Sequence, residues 1–182
     1  METKQLIKTG RVIAILSFLI GTAIFIVYYL TSADFLLSLG GVFILVAAII
    51  NSIFLILILR RYSKEKHYKT HLFITAGIIL LNIPAFLFYS WVTFLLMDTM
   101  RISFINSTQE TITELKITGC QNKTIKKLDV GQSEMIWINI EADCTINIDY
   151  LLNGESKKET VLGYATTSMG QKMKYKIGEK KE

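Results

Sequence analysis

The spacing of apolar and polar residues divides this chain into two parts with different periods. In the first hundred residues, apolar side chains form three long runs that contain no Asp, Glu, Lys, Arg or His. A helix needs roughly 20 such residues to cross the hydrocarbon core of a bilayer. The runs therefore predict a membrane α-helical bundle of three transmembrane helices, at about residues 12–30, 35–59 and 72–97.

From residue 101 onward the apolar positions recur with a period of two, which is typical of strands with one buried face. Asn153-Gly154 is a strong signal for a two-residue hairpin turn. The alternation predicts seven strands, at 102–105, 112–118, 124–130, 135–140, 145–151, 158–162 and 172–177. Seven short strands at this spacing indicate an all-β, immunoglobulin-like sandwich, with a small barrel as the alternative.

The pattern thus predicts two domains, a three-helix anchor over residues 1–100 and a β-sandwich over residues 101–182. The composition is an average of the two parts: 51% of the 182 residues are hydrophobic and 19% are charged. Such a hydrophobic content excludes a disordered chain, because disorder requires few apolar residues. A soluble domain averages about 25% charged residues, so the apolar excess points to a membrane.

The distribution of Lys and Arg predicts the orientation, because short cytoplasmic loops are enriched in these residues. The connection over 31–34 has none, whereas the N-terminal tail and the basic connection over 60–71 are cationic. We therefore expect a multi-pass protein of the cytoplasmic (inner) membrane, with a cytoplasmic N-terminus and an extracytoplasmic C-terminal domain. The residues of the basic connection that set this topology are Arg60, Arg61, Lys64, Lys66 and Lys69.

Residues 31–33 before Asp34 also resemble a signal-peptidase site, so cleavage of the first helix stays open as an alternative. The apolar stretch of 19 residues favours retention as a membrane helix, since it exceeds a normal signal sequence. Either outcome leaves the predicted orientation of the later segments unchanged.

The apolar runs contain amides and hydroxyls but no ionisable group, which argues against a proton relay or an ion-coupled transporter. Counted from the basic ends, Thr22, Asn51 and Asn82 are expected at similar depth, as a membrane polar layer that hydrogen-bonds between helices. A polar ligand site in a small oligomeric channel or transporter is the alternative. Pro84, the only proline, is expected to kink the third helix.

Candidate metal ligands are few. His67 and His71 are spaced i,i+4 with Glu65 nearby, and two such histidines on a helix would share one face. The surrounding cations would repel a metal, so we expect an interfacial loop that meets anionic headgroups instead. We expect no metal and no cofactor.

Both cysteines, Cys120 and Cys144, lie in the predicted β-domain. If successive strands alternate in direction, the strand before Cys120 ends, and the strand after Cys144 begins, at the same end of the sandwich. An oxidising compartment would join the two sulfurs. The sequence therefore predicts a disulfide, in agreement with the orientation inferred from the basic residues alone.

The β-domain carries no histidine, phosphate loop, nucleotide fingerprint or serine elbow, so we expect no enzymatic activity. Its twelve Lys/Arg against eleven Asp/Glu give a net charge of +1, which argues against nucleic-acid binding. A candidate recognition loop contains Tyr164, Thr166, Thr167 and Ser168. These features predict a non-enzymatic envelope protein that is embedded in the lipid bilayer. Its β-domain is expected to bind or support another membrane or envelope protein, as an accessory or immunity-like subunit. Association with further copies of the same chain stays open.

Overall fold

The structure is a computed structural model and describes residues 2–179. The chain divides into two compact units, the helical unit Met1–Thr93 and the β-unit Phe94–Glu182. The helices are α1 (Thr3–Thr31), α2 (Phe35–Tyr62), a short 3-10 helix (Lys66–Tyr68), α3 (Lys69–Leu80) and α4 (Asn82–Met97). The strands are β1 (Thr99–Asn106), β2 (Ile112–Gly119), β3 (Lys123–Leu128), β4 (Ser133–Asn139), β5 (Cys144–Leu152), β6 (Glu155–Ala165) and β7 (Lys172–Ile177).

The first two helices are longer than the apolar runs that predicted them. Helix α1 already begins at Thr3, and α2 continues through Arg60 and Arg61 to Tyr62. Basic residues have good helix propensity, so polarity alone does not end a helix. The predicted loop over 60–71 is consequently short: only residues 63–65 separate α2 from the 3-10 helix, and α3 begins at Lys69.

The third apolar run is two helices rather than one. Helix α3 ends at Leu80 and α4 begins at Asn82, so Pro84 lies in the first turn of α4. Proline has no N–H to donate to the carbonyl of Leu80, and its ring would clash with that carbonyl in a continuous helix. The disturbance expected from Pro84 therefore appears as an interruption of the helix at Leu81, one turn before the proline.

Small side chains let α1 pack closely in the helical unit. Gly10, Ala14, Ser17 and Gly21 recur at helical spacing along one face of α1. A Cβ atom at Gly10 would lie 3.1 Å from the Ile58 side chain on α2 and 3.3 Å from the Thr75 side chain on α3. Helix α1 therefore approaches α2 and α3 at a point where a larger residue would push them apart.

Three helical stretches are long and apolar enough to cross a membrane: Thr3–Thr31, Phe35–Tyr62 and Lys66–Met97. Most of their large apolar side chains are exposed, Leu45 to 66% and Phe73 to 70%. Water is a poor solvent for so much contiguous apolar surface. These three helices therefore suggest membrane insertion.

The β-unit is a sandwich of two sheets. The order is β4-β1-β7 in the three-stranded sheet and β3-β2-β5-β6 in the four-stranded sheet. Strand β1 pairs with β4 antiparallel and with β7 parallel. A constant-type immunoglobulin domain instead places its first, second, fourth and fifth strands in one sheet. The predicted sandwich is confirmed, whereas its finer immunoglobulin-like character is not.

Side chains from both sheets share one buried core, to which β1 contributes Ile102 and Phe104 and β2 contributes Leu115. The predicted alternation holds, with burial at every second residue over Ile146, Ile148 and Tyr150. The predicted hairpin joins β5 to β6, with φ of 52° at Asn153 and 79° at Gly154. Positive φ at both central residues matches the right-handed twist of the flanking strands.

Candidate functional site

The predicted disulfide is confirmed at one end of the sandwich. Cys120 follows β2, Cys144 opens β5, and their Cα atoms are 5.1 Å apart. Gly119, with φ of 115°, makes this approach feasible, because an added Cβ would collide with the carbonyl oxygen of Thr145. A covalent bond here joins two neighbouring strands of the four-stranded sheet.

The candidate recognition loop lies at the same end. Tyr164 belongs to β6 and is 54% exposed, and Thr167 is exposed in the loop that follows. The Thr166 hydroxyl donates to Asp143 (2.5 Å), and the Ser168 backbone N–H donates to Asp98 (2.8 Å). These bonds hold the loop against its own unit, so a recognition role for it stays a prediction.

The expected polar layer is divided between two levels of α1. Asn51 donates to the Ser17 hydroxyl (3.0 Å) and to the Ala47 carbonyl (2.8 Å). Asn82 donates to the Ala14 carbonyl (3.2 Å), so the two amides do bind α1 at adjacent turns.

Thr22 lies at the other level. Its hydroxyl is 2.8 Å from the Tyr89 hydroxyl. Thr22 lies five residues beyond Ser17 on α1, which is roughly 7.5 Å along the helix axis. Thr22, Asn51 and Asn82 therefore do not form one layer. Each of them takes part in a contact that joins α1 to another helix.

The basic residues predicted to set the topology lie at the end of the helical unit where α2 ends and α3 begins. Arg61 is 3.7 Å from Glu65, whereas Arg60, Lys64, Lys66 and Lys69 are exposed. His67 lies in the 3-10 helix and His71 in α3, so they do not share one regular helix.

A hydrogen-bonded contact between α1 and α3 at this end was not predicted from the sequence. Arg11 on α1 donates from Nε to the Thr75 hydroxyl (3.0 Å) and from Nη2 to the His71 carbonyl (3.4 Å).

No group of three or more His, Cys, Asp or Glu side chains that could hold a metal occurs within residues 2–179.

The outer face of the three-stranded sheet presents apolar and cationic side chains side by side. In the register of this sheet, Arg101 on β1 lies between Trp137 on β4 and Lys172 on β7. One step along, Ser103 lies between Met135 and Lys174. The lysine–tryptophan face is defined as Arg101, Ser103, Met135, Trp137, Lys172, Lys174 and Lys176.

Trp137 and Met135 on this face are 43% and 41% exposed, although both are large and apolar. Arg101 is only 2% exposed, and its guanidinium carbon is 5.6 Å from the centre of the Trp137 ring. A buried cation against an indole face holds the ring in place. The face therefore combines a fixed aromatic side chain with three exposed lysines.

The alternation of β7 predicts that its three lysines face outward, but Trp137, Met135 and Arg101 were not identified from the sequence. The sequence did carry a signal that Trp137 and Met135 face outward, because they alternate with the inward isoleucines 136 and 138. Burial of Arg101 had no local signal, since the ring that covers it comes from a distant strand.

A carboxylate joins the two sheets along another edge of the sandwich. Glu159 on β6 accepts hydrogen bonds from the Tyr150 hydroxyl (2.6 Å), the Tyr175 hydroxyl (2.7 Å) and the Gly178 N–H (3.1 Å). Tyr150 belongs to the four-stranded sheet and Tyr175 to the three-stranded sheet, and both are buried. We call Glu159, Tyr150, Tyr175 and Gly178 the Glu159 cluster.

The phenols of this cluster are held in their neutral form. Burial raises the pKa of Tyr150 and Tyr175 well above the ordinary value of 10.0, and the hydrogen bonds to the Glu159 carboxylate raise it further. Both phenols therefore remain hydrogen-bond donors throughout the physiological pH range. The arrangement is a structural tie between sheets and offers no proton near neutral pH.

This tie predicts alkaline sensitivity. Since the folded-state pKa of both tyrosines exceeds the unfolded value near 10.0, their contribution to stability is complete below pH 10 and is lost as pH rises further. We expect the free energy of unfolding to fall more steeply in the wild type than in Tyr150→Phe/Tyr175→Phe, by roughly 1–2 kcal/mol per pH unit. Urea unfolding midpoints between about pH 8 and pH 11 measure the difference. Equal slopes in the two proteins would contradict this assignment.

Comparison with known proteins adds little to these observations. No protein-family model and no curated protein matches the sequence. Among solved structures, the chain is similar to one titled "NMR structure of the protein from Eubacterium rectale", with 18% sequence identity and a TM-score of 0.35. The match covers 45% of this chain and 81% of that one. Similarity at this level supports no conclusion about fold or function.

Proposed function

We propose that this chain is a non-enzymatic protein of the cytoplasmic membrane whose β-unit binds another membrane or envelope protein on the extracytoplasmic side. The helical unit anchors the chain, with its N-terminus and basic connection in the cytoplasm. Two independent features support this orientation: the cations between α2 and α3, and the disulfide, which an oxidising compartment favours.

The observation that carries the binding function is the lysine–tryptophan face. Trp137 and Met135 lie two residues apart on one strand and are both partly exposed, and tryptophan is enriched among residues that dominate binding energy. Trp137 loses little conformational freedom on binding, because Arg101 already holds its ring. Lys172 lies in register with Trp137 across Arg101, Lys174 follows two residues along, and Lys176, which pairs with Glu179 at 3.0 Å, completes the row. This row of lysines favours an acidic partner surface with an apolar ridge.

The alternative, a channel or transporter component built on Asn51 and Asn82, has one observation in its favour, because the buried Asn51 Oδ1 has no hydrogen-bond partner among residues 2–179. Both amide N–H groups donate to helix atoms within the same unit. Bonds of this kind fix the packing of helices. They account for the amide N–H groups without a ligand, whereas the Asn51 Oδ1 stays unpaired.

Site-specific photo-crosslinking in native membranes tests the proposal. A photoreactive residue replaces Met135, which leaves Trp137 and Arg101 intact, and we expect an adduct with one protein of defined mass. Reversing the charge of Lys172, Lys174 and Lys176 to Glu should reduce this adduct at least about tenfold, because like charges would then face each other. Mass spectrometry of the adduct identifies the partner.

Matched controls lie on the other sheet, where Lys116, Lys123 and Lys126 are also exposed. Changing these three lysines to Glu should leave the Met135 adduct unaffected, and a photoreactive residue at Lys126 should give no such adduct. An adduct at Tyr164 with none at Met135 would contradict the assignment and transfer the binding role to the loop after β6. An adduct that survives the charge reversal at β7 would contradict it as well.

A further inference from the structure

A groove lies between the beginning of α1 and the end of α2 in the helical unit. It has a volume of about 400 Å³ and is lined by Leu6, Leu57, Arg60, Arg61 and Lys64. The last four are spaced i, i+3, i+4 and i+7, so they follow one side of α2 and its continuation. The groove thus has apolar side chains from both helices and cations from one.

Two of the three cations of the groove, Arg60 and Lys64, have no carboxylate beside them among residues 2–179. Arg61 pairs with Glu65 at 3.7 Å, and Glu65 also accepts a bond from the Thr3 hydroxyl (3.5 Å). Neither Arg60 nor Lys64 lies within ion-pair distance of a carboxylate of residues 2–179. Cations near a helix C-terminus offset its dipole, but that role needs no adjoining apolar groove.

We propose that this groove binds an anionic glycerophospholipid of the cytoplasmic leaflet. Arg60 and Lys64 would hold the headgroup phosphate, with Arg61 beside them, and the acyl chains would lie against Leu57, which is 37% exposed within an apolar span. Basic pockets between transmembrane helices on the cytoplasmic side suit such headgroups, and guanidinium matches phosphate geometry. The exposed apolar surface of Leu57 favours an amphiphile over a free phosphate ion. The inference rests on the proposed membrane insertion and orientation.

Thermal unfolding of the full-length protein in a zwitterionic detergent tests this site. We expect phosphatidylglycerol to raise the unfolding midpoint and phosphatidylcholine to leave it unchanged, because only the lipid bound by the folded state stabilises it. In Arg60→Gln/Lys64→Gln, the phosphatidylglycerol mole fraction that gives half of the stabilisation should rise about 25-fold, since each cation near the surface contributes roughly a factor of five.

The matched control is Lys4→Gln/Lys66→Gln, which loses the same charge from exposed positions outside the groove lining. Its lipid response should equal that of the wild type. Equal loss in both double variants, or equal response to both lipids, would overturn the site. Stabilisation by inorganic phosphate alone, beyond that of chloride at the same ionic strength, would overturn the lipid assignment in favour of a phosphate-ion site.

Carbonate extraction of native membranes separates this inference from the proposed function. Release of the protein into the soluble fraction would overturn the membrane anchor and, with it, the lipid site. Retention in the membrane together with no preference for phosphatidylglycerol would overturn the lipid site alone.

Discussion

Cys120→Ser/Cys144→Ser is expected to lower the free energy of unfolding of the β-unit by about 3.5 kcal/mol, because the bond closes a loop with a sequence separation of 24 residues. The unfolded chain regains the conformational freedom that this loop closure removes. Urea unfolding of the full chain in detergent, followed by Trp137 fluorescence in a Trp91→Phe background, measures the loss. With a urea dependence of about 1 kcal/mol per molar, the urea midpoint should fall by roughly 3.5 M.

A reductant provides the control for this experiment. It should shift the midpoint of the disulfide-bonded protein by a similar amount and leave Cys120→Ser/Cys144→Ser unaffected. Two thiols that react with an alkylating agent in unreduced protein from native membranes would contradict the bond. They would also remove one of the two features that support an extracytoplasmic β-unit.

Glu159→Ala is expected to destabilise the β-unit by about 3–5 kcal/mol, because it leaves two buried phenol hydroxyls without their acceptor. The two phenols come from different sheets, so the loss also removes a tie across the sandwich edge. The same unfolding measurement applies. Tyr150→Phe should cost about 1.5 kcal/mol, since it removes one donor and leaves no hydroxyl unpaired.

Glu155→Ala is the matched control, because Glu155 is also a carboxylate of β6 but its side chain is 73% exposed. Its ion pair with Lys157 lies at the surface, and we expect a change within about 0.5 kcal/mol. If Glu159→Ala cost no more than this control, the cluster would have no structural role. The alkaline sensitivity inferred from Tyr150 and Tyr175 would then lose its basis as well.

The local features of the fold were predictable because they arise from short-range rules. Apolar runs identify helices by length, and alternation alone identifies Ile146, Ile148 and Tyr150 as inward-facing, which their burial confirms. Asn153-Gly154 forms its turn because two adjacent residues tolerate positive φ. The Cys120–Cys144 bond followed from counting strand directions, which needs only the number of strands between the cysteines.

The candidate surfaces were predictable only in part. Alternation places the lysines of β7 outward, but the pairing of β1 with both β4 and β7 brings them beside Trp137. Depth counting placed Thr22, Asn51 and Asn82 at similar depth, yet it could not show that Asn51 and Asn82 both bind α1 rather than each other. Side-chain partners depend on helix rotation, which apolar runs without a polar face do not specify.

The sequence by itself determined the division into a helical part and a β-part, the number of strands, the inward face of the strands, and the hairpin between β5 and β6. Only the tertiary structure decided which strands share a sheet, that Glu159 joins Tyr150 to Tyr175, and that Arg101 lies buried beneath Trp137. The physical reason is the sequence separation of the residues that decide each feature. Helix length, strand alternation and turn conformation are set by neighbours within a few residues, whereas sheet order and cross-strand contacts depend on all pairings competing at once.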